Sequence, residues 1–505
     1  MVSVGRILSV FALVVSISAL GKAQPDCQDT STLAGQRRCI EWLRNNKANR
    51  TELNDKADRT ELGTKANTRD LDTKASTDVL ATKAAKEDLK NVNQALGSET
   101  DRFWVLLSAL LVFFMQAGFL CLEVGMVRKE FDTLQAAYKL FAWIATYAGY
   151  FFSFALMFST SHFGGWIGWH LPLWPANVIY DINPDRGVEF FLFQAAFAAT
   201  AATIPAGAIA ERMSLWSYFL IGLFIALIVY PIFGHWAWGG SLYAIETPDV
   251  QGWLKRLGFH DFAGSTVVHS IGGWFALVAA IALGPREGRF RDGAVYVDRF
   301  PAMSRGYAVL GAFLLWFGWW GFNGGSKLEY SPEIAKIILN TNIAGVTAGF
   351  TAWAFARWQK KRGGKKPWFH EDGFIPEKTI GGALGGLVAI TASCDLAWSL
   401  GALLIGLSAG IVHNLFFDLL LRREIDDPVG AVPVHLGCGM WGTVCVAGAH
   451  SYIWNPDFWK QLVVQLLGIG VAGIWAVVTA MICLYVIKRF RLLKPPEESR
   501  MLNLE

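Results

Sequence analysis

Two segments of the chain place a histidine eight residues after an aspartate in apolar surroundings. Asp261 is followed by His269, and Asp427 is followed by His435. The two segments share Asp, Gly, Val, His and Gly at identical offsets. Neutral imidazole can donate and accept hydrogen bonds, so a histidine pair can pass a small hydrogen-bonding solute along without a full charge. Because the arrangement occurs twice, it predicts a functional site rather than two histidines that only fill the core.

The aspartate of each segment stands where an apolar helix is predicted to begin. A carboxylate at a helix N-terminus accepts hydrogen bonds from free amide groups and suits the helix dipole. We therefore expect Asp261 and Asp427 to be structural caps. For Asp261, direct binding of a cation is the alternative.

Four further residues at the ends of apolar segments are candidates for binding a small cation. Trp238 closes the fourth segment, Phe197 lies in the outer half of the third, and Phe322 and Ser326 end the sixth. Aromatic faces and a hydroxyl attract a small cation through cation–π contact and hydrogen bonding. The alternative for each ring is an interfacial anchor, since the chain holds 22 tryptophans and 35 phenylalanines.

These residues lie in a chain with the composition of a membrane protein. Of its 505 residues, 53% are hydrophobic and only 17% are charged, whereas soluble domains carry about 25% charged residues. The apolar residues form runs long enough to cross about 30 Å of hydrocarbon. We predict an all-α membrane protein with eleven transmembrane helices, at about 103–127, 138–160, 187–210, 215–243, 262–284, 302–323, 334–357, 377–394, 396–420, 429–450 and 459–487.

The distribution of basic residues predicts the orientation of these helices. Lysine and arginine concentrate in the loops on the side of the C-terminus, which places the N-terminus outside and the C-terminus in the cytoplasm. The two Asp-x7-His segments open the fifth and tenth helices, which run in opposite directions. This indicates two inverted five-helix repeats followed by a final helix. In a regular helix each histidine would lie ~12 Å beyond its aspartate, near the bilayer centre.

The same sequence disfavours several classes of function. It has no phosphate-binding P-loop pattern and no predicted cytoplasmic loop large enough for a motor domain, which argues against an ATP-driven pump. The seven cysteines lack metal-ligand spacing. We expect no enzymatic activity, no metal site and no cofactor. The formal charge of +4 gives no reason to expect a nucleic-acid partner, whereas membrane lipid is an expected one.

Residues 1–23 have the pattern of a secretory signal peptide. Arg6 is followed by an apolar run that ends at Leu20 and by a small-x-small site that ends at Ala23. The alternative is a short additional membrane helix, although the run is short for a full crossing. Export would place Cys27 and Cys39 outside the cytoplasm, where they could form a disulfide within one chain or between chains.

Residues 24–100 form a polar arm that contains a nine-residue repeat. Lysine followed by alanine occurs at 47, 56, 65, 74 and 83, and leucine occurs at 53, 62, 71, 80 and 89. Nine residues turn an α-helix by about 900°, so an unbroken helix cannot keep these leucines on one face. We predict an extracytoplasmic, coiled-coil-like stalk of three chains in which each repeat interrupts the helix locally. A charged, disordered spacer is the alternative.

From about Trp104 to Arg491 the chain resembles the ammonium transporter family of Amt, Mep and Rh proteins. Several of the family's motifs occur here in the family's order. The matching stretches are Phe113-Phe-Met-Gln-Ala-Gly118, Glu123-Val-Gly125, Ala195-Ala-Phe197-Ala, Ala210-Glu-Arg212, Asp261 to His269, Gly318-Trp-Trp-Gly-Phe322-Asn-Gly-Gly-Ser326 and Asp427 to His435. The resemblance implies an ammonium transporter domain over residues 101–487 and a homotrimer with one pore in each subunit.

The resemblance also implies roles for the candidate residues. In the family's proposed mechanism, ammonium is recruited at an outer site and loses its proton before ammonia crosses an apolar pore. Trp238 favours the Amt branch over the Rh branch. The implied roles are recruitment for Trp238, Ser326, Phe197 and Asp261, a stacked gate for Phe197 and Phe322, the twin histidines of the pore for His269 and His435, and an inner structural counterpart of Asp261 for Asp427.

Two features depart from the usual pattern of the family. The signal peptide and the repeat arm are unusual for it, and the cytoplasmic tail, 488–505, stops where the most recognisable part of the family's regulatory tail should follow. An ammonium sensor that signals through a partner or a further C-terminal domain is therefore the alternative function. A cytoplasmic regulatory protein at the inner face is a further expected partner. A water or gas channel with inverted repeats is a third choice.

Overall fold

The chain is folded almost entirely into helices. The computed structural model describes residues 77–159, 162–169, 187–239, 251–362 and 374–490, with side chains from residue 97 onward. These residues also include three short elements. Lys129–Phe131 is a 3-10 turn and Trp253–Arg256 is a one-turn helix. The strands β1 Phe290–Arg291 and β2 Ala294–Val295 form a two-stranded antiparallel sheet. The long helices are α1 Thr77–Met126, α2 Asp132–Phe158, α3 Gly187–Ala208, α4 Leu215–Trp238, α5 Ser265–Leu283, α6 Arg305–Gly325, α7 Glu333–Arg362, α8 Ile375–Ile390, α9 Ser399–Arg422, α10 Val432–His450 and α11 Pro456–Arg489.

Each of the eleven predicted apolar segments overlaps one of these long helices. Within the described ranges, eight are long and apolar enough to cross a membrane, namely α1 from Gly97 onward, α2, α3, α4, α5, α9, α10 and α11. The other three, α6, α7 and α8, are shorter or are diluted by glycine, asparagine, tryptophan and charged residues. The mostly helical architecture is confirmed, and the crossing of the membrane by α6, α7 and α8 stays a prediction.

The predicted arm is described only from Thr77 onward. From there the chain is helical through the whole repeat that begins at Lys83. The local interruption predicted for every repeat is therefore wrong for the repeat that begins at Lys83. Alanine, lysine, leucine and glutamate, which are frequent here, all favour helix. The signal peptide, most of the arm with Cys27 and Cys39, and the tail beyond residue 490 lie outside the described residues.

The helix that carries Phe197 is buried among other helices. Almost all side chains of α3 are buried, because the helix bears small apolar residues and phenylalanines on every face. It packs against α2 and α5. This close packing fixes Phe197 in the interior and brings α5, which bears His269, alongside it.

Candidate functional site

Asp261 caps the start of α5 by accepting three backbone hydrogen bonds. The amide N–H groups of Gly264, Thr266 and Val267 donate to its carboxylate at 3.0, 2.8 and 2.9 Å. Gly264 has a φ of 114°, a left-handed backbone conformation that side chains disfavour. The aspartate and the glycine together turn the chain into the helix, which explains why this pair recurs at a fixed spacing.

Asp427 repeats this arrangement at the start of α10. The N–H groups of Gly430, Ala431 and Val432 donate to its carboxylate at 3.0, 3.0 and 2.8 Å, and Gly430 also has a positive φ, of 75°. Both aspartates thus have the geometry of helix caps. Because the Asp261 carboxylate is engaged by backbone amides, the geometry favours capping over direct cation binding.

Both histidines lie in a widened first turn of their helices. Ser265–Ser270 and Val432–Gly437 are π-helical, and α-helix continues from there. The N–H of His269 donates to the carbonyl of Gly264, five residues earlier, at 3.0 Å. The seven residues between each aspartate and its histidine are therefore not one regular α-helix, and the uniform rise predicted for them is wrong. Such π-helical turns are rare and are frequent at functional sites.

The last residue shared by the two segments lies where α5 and α10 pack together. A Cβ atom added to Gly273 would lie 2.6 Å from the backbone nitrogen of Leu436, and one added to Gly439 would lie 2.6 Å from the backbone oxygen of Ser265. Neither position has room for a side chain unless the helices separate. The two glycines therefore let the helices that bear the histidines meet backbone to backbone.

The two histidines contact each other in the protein interior. Nδ1 of His269 lies 3.1 Å from Nδ1 of His435, and the rings are inclined by 20°. Both side chains are buried. If both rings are neutral, one Nδ1 donates and the other accepts, so the accepting ring carries its hydrogen on Nε2. The pair then presents one Nε2–H donor and one bare Nε2 acceptor.

Two aromatic residues that the sequence alone did not single out enclose the histidines. Trp319 stacks on His269, with ring centroids 5.1 Å apart and planes inclined by 17°. Phe119 lies beside His435, with centroids 6.2 Å apart. Trp319 precedes Phe322 by three residues on α6, and this one-turn spacing could have predicted that both rings lie on the same face.

Phe197 and Phe322 form a face-to-face stack next to the histidines. Their ring centroids are 3.9 Å apart and their planes are inclined by 10°. Both rings are buried, and the Phe322 centroid lies 5.4 Å from that of His269. Rings in van der Waals contact leave no space for an ion or a molecule between them. Passage between the two rings would require them to separate.

Trp238 and Ser326 are each hydrogen-bonded to a neighbouring candidate residue. The Trp238 indole N–H donates to the backbone carbonyl of Asp261 at 2.6 Å, and its ring centroid lies 6.4 Å from that of Phe197. The Ser326 hydroxyl donates to the carbonyl of Phe322, one turn earlier, at 2.8 Å. Its oxygen still has lone pairs that can accept a hydrogen bond. The structure thus brings Trp238, Phe197 and Asp261 together and joins Ser326 to Phe322.

A charged network that the sequence did not reveal holds the residues before α10. Arg286 donates to Asp426 from its backbone N–H at 3.0 Å and from its guanidinium at 2.7 and 3.1 Å, and to Glu211 at 2.9 Å. Burial alone would raise the pKa of the Asp426 carboxyl, but the Arg286 guanidinium holds that pKa below its usual value. Because Asp426 directly precedes Asp427, the network ties this cap to the loops that follow α3 and α5.

A cavity borders His435. Its lining is mostly apolar and includes Phe119 and Trp319, but it also includes two acidic residues, Glu123 and Glu377. Glu123 is buried and pairs with Lys139 at 2.5 Å. In the sequence, Glu123 stood out only as part of a family-like stretch. Among the described residues, no group of three or more histidine, cysteine, aspartate or glutamate side chains is placed to hold a metal ion.

The chain is similar to several known proteins over most of its length. A family profile described as Ammonium Transporter Family matches residues 103–505. A Synechocystis protein, provisionally named as an ammonium transporter, is 40% identical over 407 residues, which cover 79% of this chain and 71% of that protein. The ammonium transporter Amt2 of Archaeoglobus fulgidus is 34% identical over 432 residues, which cover 80% and 86% of the two chains.

Solved structures agree with these relatives. The structure of a protein named Sensor Amt Protein has a TM-score of 0.74 and 38% identity, covering 81% of this chain and 99% of its own. The crystal structure of Saccharomyces cerevisiae Mep2 has a TM-score of 0.65 and 26% identity, covering 78% and 86%. With several helices long and apolar enough to cross a membrane, the chain is a multi-pass membrane protein. The resemblance found in the sequence is confirmed: the chain belongs to the ammonium transporter family.

Proposed function

We propose that this protein transports ammonium across the membrane by releasing a proton and passing ammonia along the two histidines. The observation that carries the proposal is the contact between His269 and His435, two buried imidazoles 3.1 Å apart beside a stack of two phenylalanines. A bare ammonium ion at the centre of a bilayer is costly, whereas neutral ammonia with hydrogen-bond partners is not.

Recruitment of ammonium takes place at the aromatic site on the outer side. The faces of Trp238 and Phe197 attract a cation, and the Ser326 oxygen can accept one of its hydrogens. Asp261 contributes indirectly, because its backbone carbonyl fixes the Trp238 indole while its carboxylate caps α5. The site therefore favours a small cation that can also donate hydrogen bonds.

The stack of Phe197 and Phe322 serves as the gate between this site and the histidines. Rings 3.9 Å apart must move aside before anything passes between them. Deprotonation before passage makes the solute neutral, and a neutral solute does not carry the cost of a charge into an apolar path. Potassium has no proton to lose, so this sequence of events rejects it.

The histidine pair supplies ammonia with replacements for its hydrogen bonds to water. The bare Nε2 of one ring accepts an N–H of ammonia, and the Nε2–H of the other donates to the ammonia lone pair. Trp319 holds the His269 ring by stacking on it, and Phe119 lies beside the His435 ring in a tilted contact. Aromatic rings enclose the path where the two nitrogens lie, which suits a neutral polar molecule.

The proposed architecture is that of eleven membrane helices in two inverted five-helix halves plus a last helix. The proposal of two inverted halves is supported by the matching caps and π-helical turns of α5 and α10 and by the glycines at their contact, Gly273 and Gly439. We propose an N-terminus outside, a C-terminus in the cytoplasm, and a homotrimer with one pore in each subunit. Exposed apolar side chains such as Phe313, Leu404 and Ile474 lie on surfaces that lipid or neighbouring subunits would cover.

A double variant tests this function directly. His269→Leu with His435→Leu leaves ammonia without hydrogen-bond partners, so potassium-resistant ammonium currents from proteoliposomes should be lost. His413→Leu, at a third buried histidine on α9, controls for the loss of a buried imidazole. Unchanged selective currents in the double variant would contradict the role of the pair. Absence of ammonium flux in the wild type would contradict transport itself.

An ammonium sensor is the second candidate, because the structure named Sensor Amt Protein matches this chain at 38% identity over 99% of its own length. A sensor would bind ammonium near Trp238 and signal through a partner protein or a further domain. Calorimetry and flux measurements on the same wild-type preparation separate the two functions. Saturable ammonium binding without flux would favour the sensor, and flux that potassium does not inhibit would favour the transporter.

A further inference from the structure

The amino group of Lys139 occupies a buried cradle whose chemistry suits an ammonium ion. Its Nζ donates to Glu123 Oε1 at 2.5 Å and to Oγ1 and the backbone oxygen of Thr203 at 2.8 and 3.3 Å. It also lies 5.7 Å from the centroid of the Phe119 ring. A carboxylate, a hydroxyl, a carbonyl and an aromatic face are the groups with which proteins hold small nitrogen cations. The lysine head is itself an alkylammonium ion, so the side chain acts as a tethered ligand.

The cradle lies in the wall of the cavity that borders the histidine pair. Phe119 and Glu123 line this cavity together with His435, and the Phe119 and His435 rings have centroids 6.2 Å apart. Lys139 reaches the back of this wall from α2, and Thr203 completes the cradle from α3. The ammonium group of Lys139 is therefore separated from the path proposed for ammonia by the Phe119 ring.

Stabilisation of the fold is a weak reason for a buried ion pair, so its position beside the cavity is what points to a functional role. Glu123 and Lys139 are 2% and 3% exposed. Desolvation of two charges offsets much of their attraction, and apolar side chains of similar volume often stabilise a fold as well as such a pair does. Ionisable residues within membrane helices are rare and generally mark functional sites.

A second buried pair in the chain has the same local chemistry in a different place. Lys378 donates to Asp418 at 2.6 Å, and both residues are buried. A glutamine donates to the other carboxylate oxygen in each pair, Gln359 at 2.6 Å here and Gln135 at 2.5 Å beside Glu123. In the described structure, neither Lys378 nor Asp418 lines the cavity at the histidines. This pair is a matched control for burial and packing.

We propose that Lys139 determines specificity by filling a cation site in the pore wall with its own tethered ammonium group. This inference rests on the proposed function, because it treats the cavity beside His435 as part of the pore. While the lysine fills the cradle, free ammonium or potassium cannot bind there, and ammonia passes the wall without meeting a bound mobile cation. Without the lysine nitrogen, the Glu123 carboxylate is a buried unpaired charge that attracts a cation from the cavity.

The substitution Lys139→Met tests this proposal. Methionine matches most of the lysine stem but ends one atom earlier, so it leaves space where the nitrogen was. Thermal unfolding of the full-length variant is measured in sodium, potassium and ammonium chloride at equal ionic strength. The variant should be less stable than the wild type in sodium and should regain stability as potassium or ammonium increases. The wild type should show no comparable gain with potassium.

Two further variants separate cation binding from loss of packing. Lys139→Met combined with Glu123→Gln removes the carboxylate, so the gain in stability with potassium should disappear. Lys378→Met removes the lysine of the matched pair, whose carboxylate partner Asp418 does not line the cavity, and it should lose stability without recovering it in potassium. A Lys139→Met protein that folds only in ammonium or potassium supports the cradle. A protein that no cation stabilises overturns the proposal.

Currents from proteoliposomes give a second readout. Potassium should reduce the ammonium current of Lys139→Met by about tenfold, a coupling typical of two ligands at linked sites, and should leave the wild-type current unchanged. A potassium-insensitive variant, or equal sensitivity after Glu123→Gln is added, would overturn the proposal. The unfolding measurement does not depend on transport. A wild type without ammonium current would therefore contradict the proposed function and leave the test of the cradle intact.

Discussion

The two Asp-x7-His segments have the same local structure in two different environments. In both, an aspartate caps three backbone amides, a glycine with positive φ follows, and a π-helical turn carries the histidine. Around Asp261, the backbone carbonyl is bound by the Trp238 indole, and the neighbours are aromatic. Asp427, in contrast, follows Asp426, which Arg286 binds through three hydrogen bonds.

This difference shows which features the two segments share and which differ between their surroundings. The aspartate caps, the π-helical turns and the glycines at the contact between α5 and α10, Gly273 and Gly439, occur in both segments. They are duplicated because both histidines have to reach the position where they contact each other. The surroundings are not duplicated. Aromatic faces suit a surface that receives a cation, whereas a buried charged network suits a segment that must be held by its neighbouring loops.

The largest effect should come from breaking the feature that the two segments share at their crossing. Gly439→Leu forces a branched side chain against the Ser265 carbonyl, and we expect a loss of about 4 kcal/mol or more of unfolding free energy. Gel filtration and thermal unfolding measure this loss. Gly470→Leu on α11 is the control, since an added Cβ there meets nothing within 4 Å. Equal stability of the two variants would contradict the close crossing.

A smaller effect should distinguish the two caps from each other. Asp261→Ala and Asp427→Ala each leave three amides without their acceptor, and we expect each to cost about 1–3 kcal/mol of stability. Asp261→Ala should also raise the KM for ammonium several-fold more than Asp427→Ala, because losing the carboxylate cap releases the backbone whose residue-261 carbonyl positions Trp238. Unfolding and concentration-dependent currents provide the two measurements. Equal changes in KM would mean that the two environments do not differ in function.

The smallest expected effect is on the pH dependence of stability. It arises only at the start of α10, beside Asp427. Burial raises the pKa of the Asp426 carboxyl, but the Arg286 guanidinium lowers it by more than burial raises it. The pKa of Asp426 therefore lies below its ordinary value of 3.8. A carboxyl with a lowered folded-state pKa contributes its full stability above the unfolded-state pKa and loses it as the pH falls through the folded-state value. Asp426→Asn should therefore flatten the loss of thermal stability below pH 3.8. A pH profile as steep as that of the wild type would rule out this contribution.

Much of the helical fold could be predicted because long apolar runs have few alternatives in a membrane. Each predicted segment overlaps a helix, although α8 ends at Ile390, earlier than its predicted limit at 394. The π-helical turns could not be predicted in the same way. They depend on the positive φ of Gly264 and Gly430, and a sequence repeat shows that a glycine recurs but not which conformation it adopts.

The candidate site likewise contains some residues that could be predicted from the sequence and others that could not. Asp261, Asp427 and the histidines stood out because the same spacing occurs twice. Phe197 and Phe322 could be chosen only through the family resemblance, since 35 phenylalanines compete with them. The pairs of Arg286 with Asp426 and of Lys139 with Glu123 join different helices or loops, and only the three-dimensional packing brings such partners together.

The backbone contact at Gly273 and Gly439 has a consequence for how fast the protein can work. Helices that touch without intervening side chains have little freedom to slide, so α5 and α10 form a rigid joint beside the histidines. Rocking of two halves about that joint would be a slow collective motion, whereas rotation of single side chains is orders of magnitude faster. If the proposed gate operates, we expect throughput to depend on how often the rings of Phe197 and Phe322 part while the helices stay in place.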